Sequence, residues 1–414
     1  MLARFWNCAV LMTVIVAGAS GTLLPSFAQA KEQTPTFDLD QIINLALERN
    51  PTIAGAQSVI QQDEGRRTQA GAYPNPTLGG GTGSGALRDP STGGPRVTEY
   101  NLTLHQTVEW PGMRAARQDA AAAGLAGATV GLEEVKLNLI AEVKGLFYEL
   151  LLAERTVDLL QQNLEIVQEV ARIVRARVRS GEGPQFEAVK ADVEVLKAKQ
   201  EMTKAKNVVR VKLVGLDTLT AGALGPRYKV QGDFRSLRDR LDPEQMAARD
   251  LSQHPVLKRQ GKLVEQAEFT VAKERQARVP NVTLFGGYAR DAGREAVIAG
   301  ASLPTPLWYR QQGHIATALG TQRKEEAELV RARNDLARAI NQHAREAETA
   351  QEQILVYEEG LLKQAQEALR IAQLSFRQGA SSLLDVLDAQ RVQRQITVDY
   401  NLARFELSLA LTRF

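Results

Sequence analysis

The stretch LFYELLLAERTVDLLQQNLEIVQEVARIVRARV, Leu146–Val178, decides the fold. Its apolar positions run Leu146, Leu150, Ala153, Val157, Leu160, Leu164, Val167, Ala171, Val174 and Val178. The steps alternate four and three. That period of 3.5 specifies an α-helix packed in a left-handed coiled coil. No proline lies between Pro111 and Pro184, so the helix has room to run from Arg114 to Arg179. At 1.5 Å per residue it would span about 100 Å. The turn Ser180-Gly181-Glu182-Gly183-Pro184 then reverses the chain, and a second amphipathic helix follows. The product is a very long antiparallel hairpin.

The chain contains this unit twice. LALERNP at Leu45–Pro51 is answered by ARDLSQHP at Ala248–Pro255, and PNPTL at Pro74–Leu78 by PNVTL at Pro280–Leu284. Trp110 and Trp308 each precede a long helix. GEGPQFEAVKA at Gly181–Ala191 is answered by GASSLLDVLDA at Gly379–Ala389. No proline follows Pro306, and Leu355, Leu362, Leu369 and Phe376 recur every seven residues as the expected second seam. The expected organisation is a signal peptide at 1–30, a first repeat at 31–212, a linker at 213–242 and a second repeat at 243–414.

The N-terminus reads as an export signal. Arg4 is followed by the apolar stretch Cys8–Leu24 and by Ala28-Gln29-Ala30 before Lys31. Cys8 is the only cysteine, so the processed chain is expected to hold no disulfide and no lipid anchor. A formal charge of +3 is too small to argue for a nucleic-acid partner. The histidines, His105, His254, His314 and His343, form no metal-ligand spacing, and no cofactor motif or catalytic constellation is present. The chain does not read as an enzyme.

Between the helices the period changes. Tyr100, Leu102, Leu104 and Val108 alternate with Asn101, Thr103, His105 and Thr107. Period two with one apolar face fits a strand between lipid and water. Pro76–Gly83, Val282–Tyr288 and Val297–Leu303 are weaker strand candidates, with Gly79–Pro95 and Arg290–Glu295 as loops. Tyr73, Tyr100, Trp110, Tyr288 and Trp308 lie at or near strand ends, where an interfacial aromatic girdle sits. A small soluble β-domain is the competing reading. Four strands cannot close a barrel alone, and their edges cannot lie bare in hydrocarbon. If they are membranous, several chains pool them, and three chains give twelve strands.

These motifs, in this order and twice over, resemble the TolC family of outer-membrane efflux proteins over Phe37–Phe414. The carriers are LALERNP, AGAYPNPTL and above all GASSLLDVLDA; the wording around NPTI and YPNPTL is most like the heavy-metal (CzcC-like) branch. The resemblance implies a mainly α fold, with duplicated helical hairpins forming a periplasmic tunnel. It also implies a four-strand contribution to a trimeric twelve-stranded outer-membrane β-barrel. It implies a homotrimer acting as the passive exit duct of a tripartite system, with a periplasmic adaptor (membrane fusion) protein and an inner-membrane RND-type efflux pump as partners. Metal cations or small toxic compounds are the expected cargo. A periplasmic coiled-coil adaptor or scaffold without a channel is the alternative.

Asp385 and Asp388 match the family's pore-facing aspartates, and Glu187 holds the equivalent place in the first copy. The plainer reading of Asp385 is a capping box with Ser382; the two roles are compatible. The turns Gly181, Glu182, Gly183, Pro184 and Gly379, Ala380, Ser381, Ser382 are candidates for adaptor docking. Glycine and proline there also suffice to explain chain reversal. Where some members lock the tip with a tyrosine and an arginine, this chain has Phe376 and Ser381.

Overall fold

The computed structural model describes residues 35–86, 95–235, 251–291 and 294–412. The expected signal peptide lies outside them. Each copy begins with a helix start written by its sequence. Asp38 caps α1 (Leu39–Arg49) in a reciprocal box with Gln41. Asn50 then caps α2 (Pro51–Gly71), accepting from the Thr52 N–H at 2.9 Å, with Pro51 in the first turn. The Asn50 amide also donates to the carbonyl of Leu219 at 2.8 Å. The LALERNP motif is therefore a helix junction tied to a distant helix end. In the second copy His254 does the capping, its Nδ1 accepting from Val256 N–H at 3.3 Å ahead of α5 (Pro255–Gln276).

The 3.5-period seam forms one unbroken helix, α3 (Pro111–Arg179), of 69 residues. Leu150, Ala153, Leu164, Val167, Ala171 and Val174 of the seam are buried. α4 (Gln185–Leu219) returns against it and continues through residue 212. The second copy differs. α6 (Gln312–Val356) and α7 (Leu362–Arg377) are joined by a π-helical turn at Tyr357–Leu361, and α8 (Leu383–Thr412) returns. The π turn inserts a residue and shifts the phase of the seam. Leu355, expected inside, is exposed, and Ile354 is buried in its place; Leu369 and Phe376 below the turn are buried as expected.

The strands are β2 (Thr77–Ala86), β3 (Arg96–Val108), β5 (Val282–Asp291) and β6 (Arg294–Ser302), antiparallel in the order β2–β3–β5–β6. A short parallel pair, β1 (Thr36–Phe37) with β4 (Lys229–Val230), lies apart from this sheet. Two expected loops shrink, because β2 takes in residues 79–86 and the β5–β6 hairpin keeps Arg290 and Glu295 paired. The glycines of β2 have a packing reason. A Cβ on Gly79 would meet Thr103 Oγ1 at 2.9 Å, and one on Gly81 would meet Asn101 Oδ1 at 2.7 Å. Glycine leaves room for the polar face of β3.

Candidate aperture at the paired turns and the unpartnered sheet

Both hairpin turns end their first helix in the same way. Gly181 and Gly379 each sit at φ 79°, the left-handed region that favours glycine. Glu182 N–H donates to Arg177 O at 2.9 Å, and Ala380 N–H to Ser375 O at 2.8 Å. These six-to-one bonds, with the inner bonds Gly181 N–H to Val178 O and Gly379 N–H to Phe376 O, are Schellman motifs at matching positions of the two copies.

Arg177 joins the turns. Its guanidinium donates to the carbonyl of Phe376, reaches Arg377 O at 3.4 Å, and lies 4.7 Å from the centroid of the Phe376 ring. Phe376 is 2% exposed and packs in one core with Ala171 and Val174 of α3, Ala188 of α4, and Leu383 and Val386 of α8. The departures noted in the sequence thus have a structural content. Phe376 is a core anchor for an arginine from the other copy, and the Ser381 hydroxyl donates to Ala372 O at 3.4 Å.

The DVLDA segment divides cleanly. Val386 and Leu387 are buried, while Asp385 and Asp388 are exposed on the other side of α8. Asp385 accepts from the Ser382 hydroxyl and N–H, both at 2.8 Å, and its own N–H donates back to Ser382 Oγ at 3.3 Å. The Ser382 hydroxyl and then its N–H hold the Asp385 carboxyl below the usual carboxylate value. Asp388 stands 3.2 Å from Arg391, which offsets its charge. Among the described residues no cation pairs with Asp385, and the Ser382 bonds favour its charged form. Glu187 is half-buried in the first turn of α4, where Pro184 offers no side-chain cap.

One polar pair was missed in the sequence. Gln390 of α8 donates to the Asn163 side chain of α3, with both residues buried. Beside them Arg394 pairs with Glu201 of α4 at 2.6 Å. Asn163 next to Leu164 in the seam was the available signal, since a buried amide in a coiled coil fixes register.

At the other end of the molecule, register sorts the sheet by face. Cross-strand partners lie side by side. One face holds Leu78, Leu104 and Gly286 in one row, Leu102, Tyr288 and Val297 in another, and Leu284 beside Ala301. It is exposed, Val297 to 84% and Leu78 to 70%. The opposite face carries Asn101, Thr103, Thr107 and Thr283, together with His105 stacked on Phe285 at 5.8 Å. Tyr100 and Tyr288 rings meet at 5.9 Å toward the far ends of β3 and β5. Tyr73, Trp110 and the 91%-exposed Trp308 stand at the helix-side ends, Tyr73 beneath Arg114 at 4.1 Å. From Tyr100 to Trp110 is about 34 Å at 3.4 Å per residue.

Among the described residues no helix is long and apolar enough to cross a membrane, and no group of three or more His, Cys, Asp or Glu is placed to hold a metal ion. The chain is 25% identical to the cobalt-zinc-cadmium resistance protein CzcC of Cupriavidus metallidurans, over 91% of this chain and 92% of that protein. It is 24% identical to the pyoverdine export outer membrane protein OpmQ of Pseudomonas putida, over 86% and 80%. In fold it is similar to a membrane protein from Pseudomonas aeruginosa (TM-score 0.77, 17% identity, 90% of this chain and 91% of that one). CusC is similar too (TM-score 0.75, 16% identity, 90% of each chain), as is the Campylobacter jejuni outer membrane channel CmeC (TM-score 0.74, 18% identity, 90% and 84%). The sequence model of the outer membrane efflux protein family matches residues 42–222 and 248–413, one stretch in each half. Matched in both copies of its repeat, the chain belongs to the outer membrane efflux protein family, whose members are channels and not enzymes.

Proposed function

We propose that this chain is one protomer of a trimeric exit duct in the outer membrane. The observation that carries the reading is the sheet. Among the described residues its apolar face has no helix over it, and its outer strands β2 and β6 each have one unpaired edge. In hydrocarbon those edges cost several kcal/mol for each unsatisfied backbone group. Pairing β6 of one copy with β2 of the next removes every edge, and three copies supply twelve strands. The aromatic residues Tyr100 and Tyr288 on one side, and Tyr73, Trp110 and Trp308 on the other, are then spaced to bracket an apolar band of roughly 25 Å.

The long helices extend the conduit into the periplasm. Asp385 carries charge at its narrow end, with Asp388 and Glu187 close by. Three copies make a ring of carboxylates that favours cations. The flow is passive. Gly181, Glu182, Gly183, Pro184, Gly379, Ala380, Ser381 and Ser382 form the surface that meets a periplasmic adaptor, and through it an RND-type pump.

The cargo reading is metal cations. It rests on the wording of the first strand entry and on the cobalt-zinc-cadmium relative. Deleting the gene should sensitise cells to cobalt, zinc and cadmium. Sensitivity confined to organic compounds or siderophore retention would instead align the chain with the pyoverdine exporters.

A further inference from the structure

The loop from β6 to α6 is held in place, yet it turns apolar side chains outward. Leu307 N–H donates to Thr305 O at 2.9 Å, Arg310 N–H to Gln312 Oε1 at 2.8 Å, and His314 N–H to the Tyr309 hydroxyl at 3.3 Å. These bonds fix the loop to the start of α6. Leu307 is nevertheless 67% exposed and Trp308 91%. The loop also continues the apolar face of the sheet. Ala301 and Leu303 are two residues apart and so share that face, and Leu303 is exposed at the foot of β6. A contiguous apolar surface of this kind marks an interaction site.

Cations lie at the same level. β5 and β6 form a hairpin between α5 and α6, and these two helices pack side by side, so the end of α5 is level with the start of α6. Arg275 and Arg278 are exposed where α5 ends, and Arg310 is exposed just before α6 begins. Arg310 engages only its Nε, which donates to Pro306 O at 3.3 Å. Among the described residues no carboxylate pairs with any of the three. Glu274, next to Arg275 in the chain, is held by Lys273 at 2.9 Å. The far end of the sheet is different. There Arg290 lies 3.8 Å from Glu295, and Arg294 stands opposite Asp291.

Apolar side chains beside uncompensated arginines match a lipid with an anionic headgroup. Tryptophan settles where hydrocarbon meets headgroups. A guanidinium donates two parallel hydrogen bonds to phosphate oxygens, and it is more weakly hydrated than an ammonium. A second copy of the chain is a poorer match in charge. The other edge of the sheet brings Arg67 and Arg114 to this level, and its acid Glu109 is already held by Arg117 at 2.7 Å.

We propose that Arg275, Arg278 and Arg310 bind the phosphate of an anionic phospholipid in the leaflet at the helix-side end of the sheet, with Leu307 and Trp308 inserted among its acyl chains. The arginines select the headgroup, and the loop sets the depth at which the chain sits in the membrane. The site rests on the reading of the sheet as membrane-spanning, and the test keeps the two apart.

Of the chain's tryptophans, Trp6, Trp110 and Trp308, the first lies in the expected signal peptide. In the processed protein Trp110→Phe therefore leaves Trp308 as the sole reporter. This variant is reconstituted in vesicles of phosphatidylethanolamine and phosphatidylglycerol, with bromine on the acyl chains of one lipid or the other. Trp308 fluorescence is expected to be quenched by both, and more strongly by brominated phosphatidylglycerol. An arginine near an anionic lipid surface is worth about fivefold in association. Each of Arg275→Gln, Arg278→Gln and Arg310→Gln should lower the preference by up to about that factor, and the three together should equalise the two lipids. Lysine at the same positions keeps the charge and should keep most of the preference, with helicity unchanged throughout. Equal quenching in the parent, or a preference that survives the triple glutamine variant, overturns the headgroup site and leaves the duct standing. So does a Trp308 that neither lipid quenches in protein that conducts. A protein that never enters the vesicles overturns both.

Discussion

The Arg177 guanidinium lies over the Phe376 ring, 4.7 Å from its centroid, and donates to the carbonyl of the same residue. One arginine from the first copy thus holds the side chain and backbone of the second just before both turns. The two residues should differ in cost. Phe376→Ala empties a fully buried site and should lower unfolding stability by about 3–5 kcal/mol. Arg177→Ala removes a cation–π contact and a hydrogen bond, and should cost about 1–2 kcal/mol. Denaturant midpoints of the detergent-solubilised protein measure both, and equal losses would show that the clasp is more than local packing.

Asp385 should give a pH signature at the turn. Ser382 holds its carboxyl below the ordinary value of 3.8. A lowered folded value means that the cap is fully present above pH 3.8 and is lost as pH falls through the folded value. Asp385→Asn should remove that acid dependence and leave neutral-pH helicity close to the parent. Circular dichroism between pH 2 and 7, from about two units below to about three above an ordinary aspartate value, reads the difference.

Charge at the proposed aperture should be carried unequally. Asp388 faces Arg391 at 3.2 Å, while Asp385 pairs with no cation among the described residues. Asp385→Ala should therefore take most of the cation preference in bilayer conductance, and adding Asp388→Ala should take only a little more. Unchanged ion selectivity in the double variant would remove these residues from the pore.

The two copies offer a swap at their caps. Burial holds the His254 imidazole below its usual 6.5. A base with a lowered folded value is protonated more readily unfolded. Its capping contribution is therefore present above pH 6.5 and falls away as pH drops through the folded value. His254→Asn installs the residue that the first copy uses at Asn50 and should keep the cap, worth about 1 kcal/mol, without that pH dependence. Unfolding midpoints at pH 5 and 8, roughly 1.5 units either side of the imidazole value, test it.

The buried amide pair is open to a similar test. Asn163→Ala removes the side-chain acceptor and leaves the buried Gln390 amide only the backbone carbonyl of residue 163, at 3.4 Å, which should cost about 1–3 kcal/mol. Asn163→Leu with Gln390→Leu should recover most of that loss in a denaturant titration. A double variant as unstable as the single would show that the pair is not acting through its hydrogen bond.

Much of this was readable from local periodicity. The α3 seam and the alternation of β3 are written in contiguous residues, and each formed the expected element. What stayed hidden depends on a distant partner. β2 has a strand's backbone but too few side chains to show period two, and its glycines make sense only against Asn101 and Thr103. The π turn at Tyr357–Leu361 leaves the seven-residue spacing intact in the sequence while changing which residue faces inward. Gln390 and Asn163 lie in different copies, 227 residues apart, so no window shows them together. At the candidate aperture, Asp385 was legible as a cap; its separation in charge from Asp388 needed Arg391 in place.

The most direct measurement is conductance of the purified, detergent-extracted outer-membrane protein in a planar bilayer, with the molar mass of the same sample determined by light scattering. The expected result is a trimer that inserts in discrete, cation-preferring steps. A monodisperse monomer that extracts into buffer and inserts no conductance would contradict the duct.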